Sequence, residues 1–185
     1  MKLFKKLAAA VLAAALALTM VGCSGGNSYA MQDELLKFTI DRMTDKGYTA
    51  THTKKADEMA AALLAAANTA AAQKENEGID AKTLLRNEKV IAAAGINPAT
   101  TPYKFNLIDG DVQFKSSGWM GEFLKMQWIG EATNTNEFYQ IGRYRPSYDD
   151  KIEIGAATHK IGDKSYTLIL LTYTGTTTET PVNPI

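Results

Sequence analysis

Residues 152–173 read IEIGAATHKIGDKSYTLILLTY, and this stretch decides the fold. Its second half, Tyr166 to Tyr173, is apolar or β-favouring at nearly every position. That is the composition of a strand buried in the middle of a sheet. Gly162-Asp163 separates residues 152–160 from 165–173, so the two runs make a hairpin around a two-residue turn.

Moving toward the N-terminus, Tyr103-Lys104-Phe105-Asn106-Leu107 and Val112-Gln113-Phe114 alternate apolar and polar around Asp109-Gly110. A two-residue turn there sets Leu107 opposite Val112 and Phe105 opposite Phe114. It also asks for a positive φ at Gly110, which glycine takes without cost. The stretch between the hairpins supports two readings. Leu124, Met126 and Trp128 alternate with Lys125 and Gln127, as in a strand, while Trp119, Phe123 and Met126 sit at helical spacing. As a strand it would be followed by another over Glu137 to Arg145, in a meander of about six strands. As a helix it would leave three or four strands packed between helices.

Farther out the texture is helical. Residues 30–46 carry Met31, Leu35, Phe38 and Leu36, Ile40, Met43 at spacings of three and four, and Gly47 stops the run. A second helix is expected from Lys54 to Lys74, with Thr53 as N-cap. Ten of its residues between Ala56 and Ala72 are alanine, the best helix former and small enough to let a neighbouring element come close. A third runs from its cap Asp80 to Gly95, with Leu84, Leu85, Ile91 and Ala92 inward. Of 16 aromatic residues, 12 lie between Tyr103 and Tyr173. The class is therefore α+β, with N-terminal helices packed on a C-terminal antiparallel sheet. An α–β–α sandwich is one arrangement that this order allows.

The ends give the address. Met1 to Lys6 is a short basic head, and Leu7 to Met20 is a 14-residue apolar run. As a helix that run reaches about 21 Å, short of a hydrocarbon core of about 30 Å. It reads as a secretory signal over residues 1–22. Met20-Val21-Gly22-Cys23 resembles a bacterial lipobox, which implies a lipid-modified Cys23 as the new N-terminus. Two acyl chains suffice for stable anchoring where one does not. Residues 23–29 then form the lipidated cysteine and a flexible tether, 30–173 one domain, and 174–185 a disordered Thr/Pro tail. The expected location is outside the cytoplasm, lipid-anchored to the bacterial cell membrane.

Composition excludes several chemistries. The chain of 185 residues has 20 basic and 20 acidic side chains; without Lys2, Lys5 and Lys6, 17 basic residues face 20 acidic ones, a net charge of about −3. A weakly acidic chain with scattered charge has no footprint for nucleic acid. Cys23 is the only cysteine, so a disulfide framework, a cysteine zinc site and a cysteine nucleophile are all out. His52 and His159 lie far apart in the chain, neither with a second ligand at i+2 to i+4, so no metal is expected. No nucleophile elbow, phosphate loop or dinucleotide fingerprint is present, and no cofactor is expected. Asp149-Asp150 reads as a solvated turn. Arg143-Tyr144-Arg145 reads as a strand with solvent-facing arginines and Tyr144 in the core, its alternative being an anion-binding edge. Trp119 and Trp128 are assigned to the core, with a ligand groove as the alternative.

One succession carries a family likeness. Arg42, then Gly47-Tyr48, an Ala-rich helix from Met59, Ala94-Gly95-Ile96, and Ile154-Gly155-Ala156-Ala157 ahead of Tyr166-Thr167-Leu168-Ile169 resembles the CAP superfamily of SCP/PR-1-like domains. Those are α–β–α sandwiches, and the likeness spans roughly residues 35–173. The family's cleft uses two histidines and two acids, one histidine following a Trp-x-x-Ser context. Here Trp128 is followed by Ile129-Gly130-Glu131-Ala132-Thr133-Asn134, so no functional residue carries over. The likeness implies a degenerate cleft that binds, without metal-dependent chemistry. Two functions therefore compete: a non-enzymatic, membrane-anchored module for an extracellular ligand or protein, and a cell-envelope hydrolase using carboxylates such as Glu122, Glu131 and Glu137.

Overall fold

Leu168, Ile169, Leu170 and Leu171 are all fully buried. Successive side chains of a strand point to opposite faces, so a run with no exposed member needs cover on both sides of its sheet. The computed structural model describes residues 26–110, 118–142 and 151–174, and it supplies that cover. In chain order the elements are α1 (Gly26–Asp45), β1 (Thr49–His52), α2 (Lys54–Ala71), α3 (Ala81–Leu85), α4 (Glu88–Ala93), β2 (Tyr103–Asp109), α5 (Trp119–Ala132), β3 (Tyr139–Ile141), β4 (Lys151–Ile161) and β5 (Lys164–Thr174). The fold is α+β. Strand order is β1-β4-β5-β2-β3, with the decisive strand β5 at the centre.

The β4–β5 hairpin forms as its sequence demands, with Ile161 opposite Lys164. Gly162 has φ 61° while Asp163 stays in the ordinary region, the pattern of a type II′ turn led by glycine. On its other edge β5 takes β2 antiparallel, Phe105 facing Leu170. Phe105 meets Tyr139 of β3 on the far side. This overturns the hairpin expected at Asp109-Gly110: both edges of Phe105 are occupied, and neither neighbour is Phe114. Gly110 does not have the positive φ of a primed turn. Its N–H instead donates to the Ser165 carbonyl at 2.9 Å, continuing the β2–β5 ladder. Val112 to Phe114 lie outside the described residues.

Four further expectations are corrected. The sheet is mixed, because β1 runs parallel to β4; β1 is Thr-Ala-Thr-His, and so polar a run gives no strand signal. The single helix from Asp80 to Gly95 is two. Asp80 caps α3 through Thr83, but Asn87 starts α4 by accepting from the Lys89 N–H at 2.9 Å, and a second cap breaks the run. The strand expected from Glu137 begins at Tyr139, and its expected end, Arg143 to Arg145, lies outside the described residues. The first helix begins at Gly26, so residues 26–29 of the expected tether are helical. The open question at residues 119–130 resolves to helix. The signal, Cys23, Arg143-Tyr144-Arg145, Asp149-Asp150 and the tail beyond residue 174 lie outside the described residues.

Helices cover the sheet on both faces. On the first, α2 buries Ala56, Ala60, Leu63, Leu64, Ala67 and Ala70 against Phe105, Leu107, Leu168 and Leu170, with α3 and α4 alongside. Thr53 caps α2 by accepting from the Ala56 N–H. On the second face, Leu35, Leu36 and Met43 of α1 and Ile129 of α5 meet Ile108, Ile152, Ile154, Ile169 and Leu171. The sheet is thus the middle layer of an α–β–α stack.

Candidate functional site

A cavity of about 430 Å³ opens on the second face. It exists because α1 ends and α5 stops short of covering the same patch of sheet. The last residues of α1 supply Met43, and the turn at Gly47 (φ 87°) carries Lys46 and Tyr48 to its rim. Strand β5 gives Leu171 and Tyr173, β2 gives Lys104, and the turn after α5 gives Thr135 and Asn136.

Its electrostatics are one-sided. The Lys46 ammonium donates to Thr135 Oγ1 at 2.9 Å and to Asn136 Oδ1 at 3.2 Å, which leaves one of its three N–H groups for a visitor. Lys104 has no hydrogen bond or ion pair among the described residues. No carboxylate is found among the described lining residues. Burial, and then the positive charges of Arg42 and Lys104, hold Lys46 below the ordinary lysine value. Burial, helped by the neighbouring Tyr48, pushes the Tyr173 phenol well above its ordinary value. Cationic side chains held together without a counter-charge favour an anion. The two phenol rings and the Leu171–Met43 floor favour one with an apolar body.

The residues singled out by sequence gather elsewhere, or nowhere. His52 Nε2 lies 2.7 Å from Asp57 Oδ2, and the other Asp57 oxygen accepts from the Ala156 N–H at 2.9 Å. This pair ties the start of α2 to β4. His159 Nδ1 lies 2.7 Å from the Lys160 carbonyl. Among the described residues, no group of three His, Cys, Asp or Glu side chains is arranged to hold a metal ion. Glu131 accepts from Gln127 at 3.2 Å and Glu137 from Asn134 at 2.8 Å; with the exposed Glu122, they stay out of the cavity lining. Trp128 is half-buried against the second-face cluster. Trp119 is not a core residue: it is 76% exposed.

The sequence holds a signal for Lys104. Lys104 and Asn106 are the polar members of an alternating strand, which usually face water. In a sheet covered on both faces there is no such side. Asn106 Nδ2 accordingly donates to the Ala132 carbonyl at the end of α5, 2.8 Å away, and Lys104 enters the cavity. Lys46 and Tyr48 flank the glycine that ends α1 and carry no pattern of their own. Among known proteins nothing adds to this geometry: no family model, no curated protein and no solved structure matches the chain.

Proposed function

We propose that this chain is a lipid-anchored, extracytoplasmic binding module whose cavity takes a small organic anion. The observation that carries the reading is the pairing of Lys46 and Lys104 in a lining without a described carboxylate. The anchor rests on the Met20–Cys23 lipobox. The likeness to a degenerate CAP domain belongs to the same proposal, supported by the α–β–α layering. A hydrolase built on Glu122, Glu131 and Glu137 has no comparable support, since none of the three lines the cavity and two are held by local amides.

The test is a titration of the mature chain with benzoate and with inorganic phosphate, read by NMR shifts at Lys104 and Thr135. Saturable benzoate binding is expected, weakening as salt rises. Lys104→Met should weaken it roughly tenfold or more, the loss of one charge-assisted contact. Non-saturable shifts, or equal affinity in Lys104→Met, would remove the cavity from the proposal.

A further inference from the structure

The side of α5 that meets the protein is not the side its apolar residues suggest. Gly121, Ile129 and Ala132 are buried, and Lys125 and Trp128 are half-buried. These positions fall at i, i+4, i+7, i+8 and i+11, a single helical face. Lys125 is fixed there by its ammonium, 2.7 Å from Glu34 Oε1 on α1. Trp119, Met120, Phe123, Leu124 and Met126 are thereby turned outward, all five exposed. They occupy only the first eight residues of the helix. Farther along, the outward side carries Gln127 and Glu131. A patch of five large apolar side chains with a Trp at its tip marks an interaction surface.

The position of the patch relative to α1 identifies what it meets. Glu34 touches Lys125, and the Arg42 guanidinium lies 4.0 Å from where a Cβ on Gly130 would stand. Both helices therefore run side by side in the same direction. From Glu34 back to Gly26 is about 12 Å of helix, and from Lys125 back to Trp119 about 9 Å. The two helices thus start at the same end of the molecule. Cys23 precedes Gly26 by three residues, which span roughly 11 Å at most. A lipid on Cys23 would bring the bilayer surface to the end where the apolar patch is exposed. No described helix is long and apolar enough to cross a membrane, so the contact is interfacial.

We infer that the N-terminal half of α5 docks into the membrane interface beside the lipid anchor, with Trp119 and Phe123 as the inserted side chains. The inference rests on the anchor reading for its orientation. Short apolar helix faces with Trp and Phe lie at the level of the headgroups. The docking would fix what a lipid alone leaves free, the tilt of the domain. The cavity lies at the opposite end of α1: Gly26 to Lys46 spans about 30 Å. Docked in this way, the protein presents the Lys46–Lys104 cavity away from the bilayer.

Cys23 is the only cysteine, so its thiol can be coupled to a maleimide phospholipid without any cellular lipidation. The mature chain with Trp128→Phe, in which Trp119 is the one remaining tryptophan, is anchored in this way to vesicles of phosphatidylethanolamine and phosphatidylglycerol. Trp119 emission should shift to the blue and be quenched by acyl chains brominated near the headgroup. Phe123→Ser with Leu124→Ser should lose the quenching while the protein stays vesicle-bound and folded by circular dichroism. Water-like, unquenched Trp119 emission on vesicles would overturn the docking. A concentration-dependent blue shift without vesicles would overturn it too, by assigning the patch to a second copy. The mass of Cys23 from native membranes reports the anchor separately: unacylated Cys23 with quenched Trp119 sinks the anchor alone, and acylated Cys23 with unquenched Trp119 sinks the docking alone.

Discussion

The two faces of the sheet are built from different side chains and have different uses. On the first, α2 lies so close to β4 that a Cβ placed on Gly155 would collide with the Ala56 carbonyl carbon. Alanines on one layer and a glycine on the other let the layers close. On the second face, α1 and α5 are joined at their shared edge by a Glu34–Lys125 ion pair. Gln32 reaches β4 through its side chain, donating to the Ala156 carbonyl at 3.2 Å and accepting from Thr158 at 2.9 Å. One end of this face holds the cavity and the other exposes the apolar tip of α5. Small residues let the first face close at Gly155, while the second face is left open at its two ends.

The largest effect tests the closed face. Gly155→Val should cost more than about 3 kcal/mol, because the atoms in the way are the Ala56–Asp57 backbone and cannot swing aside. Urea melts of the purified variant measure it. A cost below about 1 kcal/mol would mean that α2 can lift off β4, and the contrast between the faces would weaken.

That contrast was half legible in the sequence. The first face could be read, because alanine content, the Thr53 cap and the Gly162 turn act locally, and local rules place them. The second was misread for reasons that are not local. The spacing of Trp119, Phe123 and Met126 left helix and strand both open, and Trp119, assigned to the core, faces outward because Lys125 pairs with a residue 91 positions away. The first face holds one misreading of the same kind: Phe105 was expected opposite Phe114 because a nearby turn closes a loop at low entropy cost. In the fold, the longer-range ladder to β5 takes that position. The site failed in the same way: Lys46 and Lys104 meet only once α1 and β2 are placed on one sheet.

A smaller effect is read by pH. Lys46, at the cavity, has a folded pKa below its unfolded one, so the folded state holds fewer protons in that window and stability rises with pH up to the ordinary lysine value. Lys46→Met should abolish that rise, and saturating benzoate should reduce it by restoring the charged form. Tyr103, in the first-face core, works in the opposite sense. Its burial raises the phenol pKa, and its hydroxyl is buried without a hydrogen-bond partner among the described residues. Stability falls as pH climbs past the ordinary tyrosine value, with Tyr173 adding to the fall. Urea midpoints for wild type and Lys46→Met across neutral to alkaline pH show both slopes. Parallel curves for the two proteins would remove Lys46 from the account.

The smallest expected effect bears on the other end of the second face. Phe123 is 58% exposed on α5, whereas Phe105 is fully buried in β2. Serine and phenylalanine have similar helix propensities, so Phe123→Ser loses little beyond the packing of its ring. If that ring faces water in the unbound domain, the change should move stability by no more than about 0.5 kcal/mol. The same change at Phe105 should cost roughly 3–5 kcal/mol, the price of emptying a core aromatic site. Urea melts of both variants without lipid give the comparison. A loss of 2 kcal/mol or more at Phe123 would mean that another part of the chain packs on the outward side of α5. Both faces would then be closed by protein, and the membrane would have no apolar tip to receive. A near-zero loss, with vesicle docking abolished by the same substitution, would identify Phe123 as a side chain kept for contact outside the fold.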